Sequence, residues 1–340
     1  MQFKNVIGNE GLKRKFASMV DEGRVAHALM LIEEEGWGAL PMAIALAQYM
    51  SCPNKGAGDS CGVCPECNKF QKLIHPDMHF VFPVNVTSKS GSEKKPVSDT
   101  FIPIWRELTL KNPYFTEEIL NRELGIEDKV GNISVAEAKE ILNKTNMRSY
   151  EGGNKYIIIW LPERMSQEAA NKLLKMIEEP FSGTYFILIT HSPERVINTI
   201  RSRCLSVQML PIESSEVTGE ISVYFPIISE LLTNCLSKRL SAMLDQNEEI
   251  VAMGRERQKE FCKYSTSFLR KIWLTKHGLA TIANITQEES QTIESFAVSI
   301  PEPFFEKAFN HFEGARSAVE NNVNAKMVFC NLTNLLFVSI

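Results

Sequence analysis

Lys155 to Thr190 reads KYIIIWLPERMSQEAANKLLKMIEEPFSGTYFILIT. The opening KYIIIWL is an unbroken run of β-formers, long enough for a central strand of a parallel sheet covered on both faces. SQEAANKLLKMIEEP then carries apolar residues at helical spacing and stops at Pro180, which predicts an amphipathic helix. TYFILIT is a second buried strand. Strand, helix and strand in this order imply a parallel sheet and an α/β fold class.

Upstream, 8–21 predicts an amphipathic helix, 27–32 a short buried strand, and 39–50 a further helix. ISVAEAKEILNK, 133–144, begins with Ser134 and has Glu137 three residues on, a capping-box pattern for a helix start. Between these parts, from Pro83 to about Pro103, NVTSKSGSEKKPVSDT is rich in Ser, Lys and turn formers and reads as a mobile surface insertion within a variable stretch, 83–133. Beyond Leu210 strand signals thin out. ISELLTNCLSKRLSAMLD, RERQKEFCKYSTSFLRKIW and PFFEKAFNHFEGARSAVEN predict an all-helical domain over 220–340, with a boundary near 211–219.

The 340 residues are 44% hydrophobic and 23% charged, a globular composition, and no apolar run approaches the roughly 20 residues that span a bilayer. The N-terminal MQFKNVIGNEGLKRKF lacks the apolar core of a secretion signal, so a cytoplasmic location without membrane contact is expected. A net charge of -4 supplies no general attraction to nucleic acid.

Of eight cysteines, Cys204, Cys235, Cys262 and Cys330 are scattered through apolar text and read as small core residues. Cys52, Cys61, Cys64 and Cys67 instead form C-x8-C-x2-C-x2-C. Without a secretion signal this spacing favours a metal over disulfides, and four thiolates close a tetrahedral shell around a structural Zn2+. His75 and His79 are spaced i, i+4, but Pro76 interrupts a helix there and no second metal site is indicated.

HALMLIEEEGWGALPMAIALAQYM, 27–50, has the outline of a phosphate-binding loop between a strand and a helix. A working GxxxxGK(S/T) loop needs glycines so that backbone N–H groups wrap the phosphates, a lysine to reach the outer ones, and a hydroxyl for Mg2+. With Gly36 and Gly38 on the last part of the loop, Glu33 stands at the first glycine, Ala39 at the lysine and Leu40 at the hydroxyl. Acids without a cation repel a triphosphate. The acidic pair expected at the end of a buried strand, to hold Mg2+ and the attacking water, is replaced by Trp160 and Leu161, and Glu163 comes too late in the register. No intrinsic ATPase and no bound nucleotide are expected.

NKLLKMIEEP (171–180), FILITHSPERVINTI (186–200) and RSRC (201–204) together resemble the bacterial replicative clamp-loader family of DNA polymerase III, above all its delta-prime group. IGNEGLKRKF, HAL at 27–29, the inserted four-cysteine module and HPD at 75–77 follow in the order that family uses, so the resemblance covers essentially 1–210. It implies an AAA+ type parallel sheet flanked by helices, an inserted zinc module, and a C-terminal helical collar for oligomerisation. It also implies a subunit that has lost its own ATP chemistry and lends a residue to a neighbour. Arg203, in the SRC motif, is the implied arginine finger, supplied in trans to the adjacent ATPase; its guanidinium is planar, always charged and forked for phosphate oxygens. Ser202 and Cys204 then serve packing, and Thr190, at the family's sensor position, is structural.

Implied partners are the clamp-loader gamma/tau and delta subunits, with the sliding clamp and primed DNA met through the complex. The chain departs from the family where a small helical lid belongs: only PIESSEVTGEIS, 211–222, stands there, so the lid is expected to be absent or vestigial. Two other readings compete. A catalytically active AAA+ ATPase would bind ATP-Mg through an unusual loop, against Ala39 and Trp160; a zinc-dependent DNA-binding protein would bind DNA in a salt-sensitive, chelator-sensitive way, against the scarcity of basic residues near the cysteines.

Overall fold

The computed structural model describes all residues except 57, 92–94, 148, 151–152, 213–222 and 284. The chain divides into two compact units, Met1–Ile126 with Val130–Ile212, and Glu127–Lys129 with Glu213–Ile340. Of the stretch 211–219, expected to be a linker or vestigial lid, all but Pro211 and Ile212 lies outside the described residues.

In chain order the first unit contains α1 (Glu10–Asp21), β1 (Ala28–Ile32), α2 (Ala39–Ser51), α3 (Pro65–Gln71), β2 (Met78–Val81), α4 (Ile102–Lys111), α5 (Glu117–Leu124), α6 (Val135–Asn146), β3 (Lys155–Trp160), α7 (Gln167–Glu178), β4 (Thr184–Thr190), α8 (Asn198–Arg201) and β5 (Leu205–Gln208). The strands lie in the order β2-β3-β4-β1-β5, all parallel. The unbroken apolar runs of β3 and β4 occupy interior positions because both sheet faces are covered. Alternate residues divide between the faces. Leu29, Leu31, Tyr156, Ile158, Ile187 and Ile189 pack with α1 and α2, whereas Ala28, Met30, Ile157, Ile159, Phe186 and Leu188 pack with α6 and α7. The short strands β2 and β5 escape the sequence reading, since four residues carry too little periodicity.

The stretch at 83–103 departs from its expectation as a mobile surface insertion. Its described residues form 3-10 turns at Ser88–Ser90 and at Ser98–Phe101, the second of which leads straight into α4, and Ser90 and Ser98 are buried. The aromatic residues that follow decide this: Trp105 stacks on Phe82 at 4.3 Å between ring centres and meets Phe115 edge-on, all inside the core. Glu137 helps to hold the segment. Ser134 accepts from the Glu137 N–H at 3.4 Å, which is half of the expected capping box, but the Glu137 carboxylate accepts the Ser98 N–H at 2.6 Å instead of turning back to its own helix.

The second unit is helical: α9 (Tyr224–Leu236), α10 (Leu240–Ala252), α11 (Arg255–Lys276), α12 (Gln287–Ser299), α13 (Glu302–Glu320) and α14 (Ala325–Ser339), around Phe261, Phe268, Phe304, Phe312 and Phe329. ISELLTNCLSKRLSAMLD, read from the sequence as helical, spans two helices. The chain turns between α9 and α10 at Lys238, whose φ is +55°, and the Lys238 ammonium donates to the Ile340 carbonyl oxygen at 3.0 Å. At the head of α12 a capping box between Thr286 and Glu289 closes, and Glu289 also receives Tyr264 at 2.7 Å and Lys271 at 2.6 Å. No helix among the described residues is long and apolar enough to cross a membrane.

Burial pushes the Glu137 carboxyl up to about 7, despite the Ser98 N–H that favours its ionised form. A folded-state value above the unfolded one means that the protonated form is favoured by folding, so this contribution is present at low pH and is lost as pH rises through about 7. Glu137→Gln, which keeps an acceptor for Ser98 without the charge, should match the natural chain in melting temperature at pH 5 and exceed it at pH 8.5. Thermal denaturation of both chains across that range checks this.

Candidate functional site

The turn between β1 and α2 keeps the frame of a phosphate loop. Gly36 (φ +87°) and Gly38 (φ +91°) adopt the left-handed backbone that such a turn requires, and α2 starts at Ala39. Exposed N–H groups at a helix start attract an anion. Here the chain provides its own: Glu33, 5% exposed, accepts the Ala39 N–H on Oε2 at 2.8 Å, and its Oε1 lies 3.6 Å from His191 Nε2. Burial alone would lower the His191 pKa, yet Glu33 beside it and the charges of Glu35 and Glu163 outweigh burial and raise it. A buried carboxylate and an imidazole thus face each other at the head of α2.

Around them the space is filled. A Cβ on Gly38 would stand 2.8 Å from the Tyr114 ring, and the Tyr114 hydroxyl accepts the Ile7 N–H at 2.8 Å, so the tyrosine is fixed over the turn. Ala39 and Leu40, at the lysine and hydroxyl positions, are buried in the core. Trp160, where a metal-binding acid would sit, meets Trp105, Phe115 and His191 at 5.5, 5.6 and 5.8 Å between ring centres. Glu163 accepts the Thr190 hydroxyl at 2.7 Å and the His191 N–H at 3.0 Å, tying the tip of β4 to the turn after β3. Tyr114 and His191 were not among the sequence candidates. The only hint for His191 is a titratable residue directly after a buried strand; for Tyr114 there is none, because it arrives from a distant segment.

The four cysteines expected to bind metal do come together. Their sulfur atoms all lie within 4.8 Å of one another, with Cys61 and Cys67 at 3.9 Å. A tetrahedral Zn–S shell with bonds near 2.3 Å needs sulfur pairs about 3.8 Å apart, so the set fits such an ion after a small contraction. Backbone N–H groups of Cys61, Cys64 and Cys67 point at Cys52, Cys61 and Cys64 sulfur at 3.3, 3.4 and 3.4 Å, a pattern that stabilises thiolates. The N–H groups of Val63 and Cys64 bring the Cys61 thiol down to about 6, whereas burial pushes Cys67 up to about 12. Gly62 (φ +76°) is required at the knuckle, where a Cβ would strike the Gln2 side chain at 2.6 Å.

This module is keyed into the domain by the HPD segment. His75 Nε2 donates to Glu66 at 2.8 Å, its ring stacks on Phe70 at 4.3 Å, and Phe70 meets Tyr156 of β3. Asp77, buried, accepts the Ser149 hydroxyl at 2.8 Å and the Tyr150 N–H at 2.9 Å. His79 lies in β2, and among the described residues it joins no cluster of metal ligands.

Arg203 follows α8 and is exposed. Its Nη1 donates to the Thr199 carbonyl oxygen at 2.8 Å, and its Nε and Nη2 reach the Glu178 carboxylate at the end of α7. Cys204 is partly buried, and Ser202 Oγ donates to Thr199 O at 3.3 Å.

Glu33→Ala should leave the Ala39 N–H and the His191 imidazole without the Glu33 carboxylate. The expected cost is about 2 kcal/mol of stability, the desolvation penalty of buried polar groups left unpaired. The His191 pKa should fall as well, because burial remains while its first counter-charge is gone. Chemical denaturation and an NMR titration of the His191 ring check the two effects.

The family description "DNA polymerase III, delta subunit" matches residues 8–213. A DNA polymerase III subunit delta′ of Haemophilus influenzae is 25% identical over 261 residues, covering 76% of this chain and 64% of that protein. The Bacillus subtilis subunit delta′ is 25% identical over 233 residues, covering 68% of this chain and 57% of that protein. The chain therefore spans less than two thirds of the length of these two relatives. A gamma subunit-related protein of DNA polymerase III from Thermotoga maritima is similar in structure, at 14% identity and a TM-score of 0.40, over 96% of this chain and 99% of that one. With the family match running over more than half of its length, the chain belongs to the DNA polymerase III delta subunit family, within which it is delta-prime-like.

Proposed function

We propose that this chain is a non-catalytic subunit of the DNA polymerase III clamp loader. In this reading it binds no nucleotide, supports placement of the sliding clamp on primed DNA, and supplies Arg203 as an arginine finger to ATP held by a neighbouring gamma/tau subunit. The observation that carries the reading is the head of α2, where the Glu33 carboxylate occupies the N–H group that a phosphate would need. Tyr114 packed against Gly38 and the aromatic group around Trp160 support the same reading. A frame of this kind, kept after its chemistry is gone, fits a subunit whose outer surface serves another.

The chemistry assigned to Arg203 is electrostatic. As the γ-phosphate leaves, charge builds on its oxygens, and a guanidinium from the next subunit stabilises that charge without itself reacting. Exposure of Arg203 supports a role outside its own chain. The helical unit would pack beside equivalent units of the gamma/tau and delta subunits; Val298, Met327 and Val338, 85%, 70% and 80% exposed, offer apolar surface for this. Zinc, held by Cys52, Cys61, Cys64 and Cys67, would be structural, since all four ligands come from the protein and leave no open position. The cytoplasm, where DNA is replicated in bacteria, is the matching location.

Metal analysis of the purified chain should find a single zinc ion, lost in Cys64→Ser or on acidification as the thiolates take up protons. For the finger, ATP hydrolysis by the gamma/tau and delta subunits with clamp and primed DNA should accelerate when this chain is added. Arg203→Ala should assemble equally well and lower hydrolysis at the site it faces by about 10³. Equal rates from both chains in an intact complex would make Arg203 structural.

A further inference from the structure

An arginine that must meet a phosphate on another subunit has a problem of its own. Its side chain is long and flexible, and every rotamer in which the guanidinium points elsewhere lowers the effective concentration of the charge at the reacting group. The contacts of Arg203 address this. A guanidinium has five N–H bonds in one plane. Glu178 takes Nε and Nη2 on one side, and the Thr199 carbonyl oxygen takes Nη1 at 2.8 Å on the other. Two restraints from different elements, the last residue of α7 and the short α8, fix both the position and the plane of the group. Nη1 also reaches the Ser202 hydroxyl oxygen at 3.4 Å, and an N–H bond on Nη2 remains for an outside acceptor.

The restraint is itself anchored. Glu178 follows Ile177, which is fully buried and whose carbonyl oxygen lies 3.0 Å from His27 Nε2 at the entrance to β1. The end of α7 is therefore tied to the sheet, and the carboxylate stands where that tie puts it. Folding alone gives no reason for the pair, because exposed ion pairs contribute little to stability, and the Arg203 and Glu178 side chains are 36% and 41% exposed. A carboxylate here even faces the negative end of the α7 dipole, an unfavourable place for it without a cation.

We infer that Glu178 is a positioning residue for Arg203: it holds the guanidinium by one edge so that the remaining N–H on Nη2 is aimed at the phosphate of a nucleotide on the neighbouring subunit. The inference rests on the arginine-finger reading of the preceding section. Glu178 touches neither nucleotide nor metal in this scheme, so its removal should act on the rate of the chemical step and not on the binding of ATP.

The test uses the complete chain assembled with its partner subunits, clamp and primed DNA, with Glu178→Ala, Glu178→Gln, Arg203→Ala and the Arg203→Ala/Glu178→Ala pair. Assembly is followed by size-exclusion chromatography, and kcat and KM for ATP are measured. Glu178→Ala is expected to lower kcat about tenfold with KM changed less than twofold, and Glu178→Gln, whose amide oxygen still accepts from Arg203, to lose less. In the Arg203→Ala background Glu178→Ala is expected to have no further effect. A Glu178→Ala chain as active as the natural one, or more active, overturns the inference while leaving the finger intact, provided that Arg203→Ala is impaired. A further loss in the double variant, or failure of both Glu178 variants to assemble, shows a structural role and overturns it as well. If Arg203→Ala hydrolyses ATP normally within the complex, the finger reading itself has failed and this inference falls with it.

Discussion

A carboxylate buried at the start of a helix must be given partners, and Glu33 is given two, the Ala39 N–H and the His191 imidazole. Much of the first unit is arranged around that requirement. His191 is carried there by β4, directly beside β1 in the sheet, and its backbone is held by Glu163 from the turn after β3. Tyr114 closes the turn from the opposite side and is fixed by the N-terminal segment through Ile7. The result is a phosphate loop in which a side chain of the chain itself takes the Ala39 N–H at the helix start. Retention of the glycine turn follows from the same physics, since Gly36 and Gly38 are needed for the backbone path whatever occupies the helix start.

The four-cysteine module is a second place where local chemistry is tied to the sheet. Its sulfurs are brought together by short turns, but its orientation comes from Phe70, Glu66 and His75, which link it to β3 and to the segment entering β2. Three of the four cysteines are buried, and burial disfavours thiolates, so a bound cation would offset a cost that the apo protein bears. Metal binding and packing of the module onto the domain are in this way one process.

Parallel strand order matters for Arg203 too. β5 pairs with β1 at the edge of the sheet, and the arginine lies in the short link between α8 and that strand. An edge position exposes the residue, while α7, packed on the adjacent face, brings Glu178 within reach. Exposure and restraint are both consequences of the sheet topology.

The two interior strands, the helix between them, the cysteine set and the loss of the lysine and hydroxyl from the phosphate loop were legible in the sequence. Each rests on residue type and near-neighbour spacing, and KYIIIWL, C-x2-C-x2-C and Ala39 with Leu40 carry their meaning within a few positions. What stayed hidden depends on residues far apart in the chain. NVTSKSGSEKKPVSDT looks like a free loop until Trp105 and Phe115 draw its neighbours into the core; Ser134 and Glu137 look like a closed capping box until Ser98 claims the carboxylate. The break at Lys238 was likewise invisible, because a left-handed turn at a lysine is set by packing and not by propensity. Sequence alone determined that Ala39 and Leu40 stand where a phosphate loop carries its lysine and hydroxyl. Only the tertiary structure decided what surrounds them, because the pairing of Glu33 with His191 and the cover by Tyr114 join three segments that meet only when the parallel sheet has formed.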